Sequence, residues 1–248
     1  AMLALLKLEP KNIIKKEVLN AANWLKELQN SDGGFPTFSR GWGKLPFDQS
    51  CSDLTGHCLL AVSDVMENYQ DELSGNESEK LKKIFEGALQ YLEKKQAENG
   101  SWLPLWFGNQ LTANHTNPVY GTAKVVTYLK DAALHNWHST QTRDKLEKMI
   151  LKGNDFLVRI QNEDGSCGGD KNIPGTIEET SLAVSALISR ENLLICESGL
   201  KWLEETIKEK GFVSAPIGLY FASLWYDEKM YPLTSYLEAL ARAEETFN

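Results

Sequence analysis

The sequence has no run of eighteen or more apolar residues, so no stretch is long enough to span a bilayer as a helix. It has no Lys/Arg-rich stripe, and its formal charge of −8 offers phosphates no basic face, which argues against nucleic acid and against simple polybasic docking on anionic lipid. Cysteine is scarce: Cys51, Cys58, Cys167 and Cys196 form no CxxC pair. The apolar opening from Ala1 to Leu6 lacks the basic segment of a signal peptide, so reduced thiols and a cytoplasmic location are expected. Ala1 ahead of Met2 reads as a vector remnant. Gly-rich phosphate loops, a Ser-His-Asp order and haem motifs are missing too. What remains is ordinary globular material, 42% hydrophobic and 24% charged over 248 residues, enough for one domain (1–248) whose core needs no disulfide or metal.

Internal repetition is the strongest signal. Ala21-Ala-Asn-Trp24-Leu25, Ala88-Leu-Gln-Tyr91-Leu92, Gly153-Asn-Asp-Phe156-Leu157 and Gly199-Leu-Lys-Trp202-Leu203 each place an aromatic-Leu pair three residues after a small residue. Gln29, Gln96 and Gln161 follow the first three at one offset, with Gly33, Gly100 and Gly165 four residues on. The fourth segment keeps Gly211 but carries Ile207 in place of the glutamine. Each reads as an outer helix with one apolar stripe, ended by a polar turn and a glycine suited to positive φ.

A second helical pattern follows each of these, starting at Thr55, Thr122, Thr180 and Leu233. These segments are apolar round much of their circumference with small residues interleaved, as inner helices packed on both sides require. Nothing reads as strand. The expected fold is all-α: about nine helices, four hairpins plus a leading helix at Ala1 to Leu8, in a curved array whose pairs bury their faces against neighbours. A closed ring of six hairpins needs twelve helices, so an incomplete or open α/α barrel is predicted. The long connections, Phe35 to Ser52 and Trp102 to Asn117, are rich in Gly, Pro and aromatics (Trp42, Phe47, Trp102, Trp106, Phe107), and function tends to sit on such connections.

Gln29-Asn-Ser-Asp-Gly-Gly-Phe35, Gln96-Ala-Glu-Asn-Gly-Ser-Trp102 and Gln161-Asn-Glu-Asp-Gly-Ser-Cys167 resemble the Gln-to-Trp repeats of squalene-hopene cyclases and related class II terpene cyclases. Asp53-Leu-Thr-Gly-His57, Trp102 to Trp106, Tyr120-Gly-Thr122, Leu219 to Tyr226 and Tyr231-Pro232 match further motifs in the family's order. The similarity runs from about Asn12 to the end and corresponds to the family's C-terminal half. It implies an α/α toroid that folds a linear polyprene such as squalene in an aromatic-lined cavity and starts cyclisation by protonating a terminal alkene. The family's acid is Asp-x-Asp-Asp, and this sequence contains none. The opening Ala1 to Leu8 resembles the helix that follows that motif, so the chain reads as truncated just downstream of the acid and is expected to be inactive alone.

On this resemblance His57 is the residue that would activate the acid, and Asp53 lies four residues earlier on the same helical face. Read without the family, the pair is a capping carboxylate and a satisfied core histidine. As a substitute acid Asp53 is poorly placed, because a neighbouring imidazolium lowers its pKa. Trp106, Phe107, Tyr120, Tyr220, Phe221 and Tyr226 are candidate substrate-binding walls whose π faces would stabilise carbocations. Asn109 to Asn117 reads as an insertion relative to the family.

Asp53, His57 and Cys58 suggest a zinc site of the related prenyltransferases, but helical positions 57 and 58 point about 100° apart and a third ligand is not placed. No metal and no cofactor are expected. Glu178-Glu179 would suit a catalytic carboxylate pair, yet acidic residues in a first helical turn follow from the dipole alone. Uncovered inner-helix edges predict a homodimer or a shielding partner such as the family's missing N-terminal half. A non-catalytic toroid binding an isoprenoid or a partner chain is the alternative to an enzyme. Peripheral membrane contact is left open.

Overall fold

The computed structural model describes residues 1–8, 11–37, 48–219 and 223–247. Nine α-helices lie among them: α1 (Met2–Leu8), α2 (Lys11–Leu28), α3 (Ser52–Tyr69), α4 (Gly75–Lys95), α5 (Pro118–Ala133), α6 (Thr140–Ile160), α7 (Ile177–Leu187), α8 (Leu193–Lys210) and α9 (Met230–Phe247). The chain divides into two compact units, Ala1–Gln96 with Tyr128–Ile150, and Ala97–Thr127 with Leu151–Asn248. Among the described residues no helix is long and apolar enough to cross a membrane. The aromatics of the first long connection, Trp42 and Phe47, lie outside the described residues.

In the first unit α3 packs against α2 and α4, and α1 against α2 and α3. Twelve positions of α3 are buried, including Leu59, Val62, Val65 and Met66, whereas α4 buries a stripe from Leu81 through Phe85 and Ala88 to Leu92. In the second unit α7 packs against α8 and α9 and is buried at every position. Burying one such Leu or Val side chain is worth about 1.5–3 kcal/mol relative to leaving it in water. The inner helices therefore hold the core, and the amphipathic outer helices cover it.

The outer helices α2, α4 and α6 end in turns of one design. Gln29 Nε2 donates to the Gly33 carbonyl (2.8 Å) and to Ile84 O on α4 (2.9 Å). Gln161 Nε2 donates likewise to Gly165 O (2.8 Å) and to Ile195 O on α8 (3.1 Å), and Gln96 Nε2 reaches Met149 O on α6 (3.0 Å). One glutamine thus closes its own turn and fastens it to the following outer helix. Gly33, Gly100 and Gly165 have φ of 87°, 92° and 89°, and a Cβ on them would stand 2.2, 2.1 and 2.4 Å from Gly87 O, Lys152 O and Ser198 Oγ. Both the left-handed backbone and the contact exclude a side chain there.

The inner helices begin three or four residues before the apolar patterns read in the sequence. Thr55, Thr122 and Thr180 stand in the second turn, where their hydroxyls accept the N–H groups of Phe35, Trp102 and Cys167, each at 2.9 Å. The structure also contains strands where none is expected. β1 (Phe35–Pro36) pairs with β2 (Ser50–Cys51), and β3 (Ile217–Leu219) pairs with β4 (Leu224–Tyr226), both antiparallel. Ladders of two or three residues are too short to show a period-two pattern.

Candidate functional site

The second unit contains a cavity of about 220 Å³ whose wall includes Tyr120 and Lys124 of α5, Glu178 and Leu182 of α7, Ile217 of β3 and Tyr231 of α9. The start of α7 organises it. Thr176 caps the helix by accepting the Glu179 N–H (3.1 Å), and its hydroxyl donates back to Glu179 Oε2. Glu179 Oε1 accepts Asn109 Nδ2 (2.8 Å) and Asn117 Nδ2 (2.9 Å). The two ends of the inserted segment Asn109 to Asn117 therefore close on one buried oxygen. Asn117 Oδ1 meanwhile accepts the Tyr120 N–H (2.9 Å) and caps α5, whose first residue, Pro118, has no N–H to satisfy.

Glu178 and Glu179 are adjacent, so their side chains leave the helix about 100° apart and meet different surroundings. Both are buried, at 5% and 3% exposure, which corrects the expectation of an ordinary first-turn acidic pair. A solvated turn would leave them in water; here Asn109 and Asn117 bond Glu179, and both glutamates line the cavity. Burial pushes the Glu179 carboxyl upward, opposed by its three hydrogen bonds. Burial pushes Glu178 up to about 7, opposed by the Ala215 N–H and reinforced by the negative charges of Glu179 and Asp227. Glu178 Oε1 accepts that N–H at 2.9 Å, whereas Oε2 is buried without a hydrogen-bond partner among the described residues. The signal for this arrangement was present in the sequence as the capping box Thr176-Ile-Glu-Glu179, but its distant donors were not.

The sequence-derived candidates fall in both units. Asp53 is buried in the first turn of α3 and accepts the Cys51 thiol, while His57, half-buried, stacks on Tyr128 with ring centroids 5.0 Å apart and planes 26° apart. In the second unit Phe107 lies against Tyr120 (4.7 Å) and edge-on to Tyr231 (6.5 Å), so these rings form one cluster. Trp106 is buried, and Tyr226 on β4 is 45% exposed; neither lines the cavity. Tyr220 and Phe221 lie outside the described residues. Tyr231, quoted only as part of a motif, is the wall aromatic that sequence reasoning passed over.

A second polar cluster emerges in the first unit. His135 bridges Ser63 Oγ (Nδ1, 2.7 Å) and Asp64 Oδ1 (Nε2, 3.0 Å), and Trp137 Nε1 also donates to Ser63 (3.1 Å). It has the composition of a nucleophilic triad, but Ser63 is fully buried beneath Trp137 and His138 and gives a substrate no approach. The network ties α3 to the corner after α5. Among the described residues no group of three or more His, Cys, Asp or Glu is arranged to hold a metal.

The comparisons with known proteins agree with the helical-hairpin arrangement. The chain is 28% identical over 227 residues to enfumafungin synthase efuA of Hormonema carpetanum, covering 82% of this chain and 16% of that protein. It is 26% identical over 238 residues to a squalene--hopene cyclase of Bradyrhizobium diazoefficiens, covering 86% and 30%. It thus spans a third or less of either relative. Among solved structures, ent-copalyl diphosphate synthase from Streptomyces platensis superposes with a TM-score of 0.58 at 18% identity, over 87% of this chain and 36% of that one. A possible GH105 member from Salmonella enterica gives a TM-score of 0.69 at 12% identity, over 100% and 70%. These likenesses show the all-α toroid-type fold. The model of the squalene-hopene cyclase C-terminal domain matches residues 1–226, and the chain belongs to that family.

Proposed function

We propose that this chain is the polyprene-binding, C-terminal part of a squalene-hopene-type cyclase, with a linear polyprene such as squalene as its ligand and its Gln-closed turns as the family's Gln-to-Trp repeats. The observation that carries this reading is the family match, which includes both the His57 helix and the aromatic segment in one continuous span. His57 takes the role of the residue that activates the acid, with Asp53 beside it. In the assembled cyclase Trp106, Phe107, Tyr120, Tyr220, Phe221 and Tyr226 would face the polyprene, their π faces stabilising developing carbocations; Tyr120 also lines the Glu178 cavity, and Trp106 and Tyr226 do not.

An alkene is a very weak base, so the initiating acid must be strong and positioned. Glu178 does not meet that need: burial raises its pKa to about 7, which makes it a weak acid. These 248 residues hold no Asp-x-Asp-Asp, so initiation requires residues that supply it, and this stretch by itself is inactive. A second reading is a non-catalytic toroid that binds an isoprenoid or a partner chain. Exposed Leu237 and Leu240 on α9 give a second copy or a partner an apolar face. A cytoplasmic location with peripheral membrane contact fits a protein that collects squalene.

The test is incubation of the purified chain with squalene, alone and mixed with the N-terminal half of a family member, with products read by mass spectrometry. Cyclic products in the mixture and none from the chain alone are expected. Cyclisation by the chain alone would overturn the account of the missing acid, and no product in either arm would select the non-catalytic reading.

A further inference from the structure

The Glu178 cavity is not explained by carbocation chemistry. Glu178 lines the cavity at 5% exposure, and its Oε2 is buried with no hydrogen-bond partner among the described residues. A buried polar atom left unpaired costs more than a hydrogen bond gains. Asp48, His138, Asn154, Ser181 and Ser185 also hold such atoms among the described residues but do not line this cavity, whereas Glu178 does. The neighbouring Glu179 shows the contrast, with its carboxylate closed by Thr176, Asn109 and Asn117.

The charges around the cavity narrow the occupant's chemistry. Glu179 on α7 and Asp227 before α9 act on Glu178 and favour its neutral form, Lys124 on α5 shares the wall, and Tyr120 on α5 and Tyr231 on α9 complete the titratable groups that face it. An anionic ligand would meet Glu178 and Glu179 at the wall with the charge of Asp227 behind them, and a cationic one would meet the Lys124 ammonium. A pure hydrocarbon would leave Oε2 as it stands. A neutral ligand with an oxygen acceptor satisfies the acid, while Leu182, Ile217 and the two tyrosine rings take its apolar body. At about 220 Å³ the cavity is below the roughly 300–1,000 Å³ of sites for drug-sized ligands, so it suits a short molecule or one end of a longer one.

We propose that this cavity binds the oxygen-bearing end of a neutral apolar molecule, a hydroxyl or carbonyl compound, with Glu178 donating the hydrogen bond that distinguishes it from a hydrocarbon. The same logic lets a site built to bond a hydroxyl reject the analogue that lacks it. No turnover is involved, so the proposal stands apart from the cyclase reading.

The experiment uses the full chain with geraniol and with myrcene, an isoprenoid alcohol and a hydrocarbon of the same carbon count, and reads free ligand by headspace gas chromatography. At pH 6 geraniol binds roughly tenfold or more tightly than myrcene. The preference shrinks as the pH rises through about 7, where Glu178 loses its proton. Glu178→Gln retains a donor and keeps the preference without the pH dependence, and Glu178→Leu abolishes the preference. Leu182→Trp fills the cavity and removes binding of both ligands, with circular dichroism confirming the fold. Equal affinity for the two ligands would overturn the proposal, as would a preference that grows with pH or one that survives Glu178→Leu. Tighter binding of geranylamine than of geraniol at pH 8 would assign Glu178 instead as a counter-ion and would equally overturn it.

Discussion

The turns that end the outer helices and the cavity at the start of α7 treat buried polar groups in opposite ways. In the turns the repeated polar residues have fixed partners. Gln161 donates twice, Asp164 Oδ1 accepts the Ser166 N–H (3.0 Å) and hydroxyl (2.7 Å), and the Asn162 N–H meets Ser166 O (2.9 Å). In the cavity Glu178 Oε2 has none among the described residues. Saturated polar groups fix geometry, whereas an unsaturated one destabilises the native state until something arrives to meet it. The first arrangement marks a framework and the second a place for a ligand.

The sharpest test of this contrast is steric. Gly100→Ala would set a Cβ 2.1 Å from Lys152 O at a φ of 92°, and a loss of about 4 kcal/mol or more is expected in chemical denaturation. Glu178→Gln should act in the other direction. The folded-state pKa of about 7 lies above the ordinary 4.5, so the native protein holds a proton that the unfolded chain releases. Stability from this group is fully present below about pH 4.5 and is lost as the pH rises through 7. The substitution should flatten that slope and stabilise the protein at pH 8 by up to about 3 kcal/mol, read as melting temperature against pH. Destabilisation at pH 8 would place Glu178 in the framework. Gln161→Leu strips two carbonyls of a donor and should cost about 2 kcal/mol in the same assay. The smallest effect, about 1.5 kcal/mol, is expected for Gly211→Ala, where φ is 73° but no atom lies within 4 Å of the added Cβ. The gap between Gly100 and Gly211 isolates the contact from the backbone strain.

The framework was legible in the sequence because its rules are local. A glutamine, a polar turn and a glycine four residues later specify a helix end wherever they occur, and Gly33, Gly100, Gly165 and Gly211 all have positive φ. The inner helices were legible because few segments are apolar on all sides. The cavity was not, since the state of Glu179 depends on Asn109 and Asn117, 70 and 62 residues away, and no helical period separates a buried first turn from a solvated one. Tyr226 shows the converse: a motif aromatic of the expected type that stands 45% exposed on a short ribbon no periodicity announced.

The closure of Asn109 and Asn117 on a single oxygen of Glu179 turns the residues between them into a tethered ring. The energy of the knot depends on its three side chains, while the entropy of the ring grows only with the logarithm of its length, roughly 0.6 kcal/mol for each doubling. The exposed Gln110, Leu111, Ala113 and Asn114 are therefore open to rewriting, whereas Thr112 is buried and its hydroxyl donates to Asn109 O (2.9 Å) and Thr116 O. A peptide epitope or a longer recognition loop grafted there would be held at both ends by chemistry already in place, beside the cavity it borders.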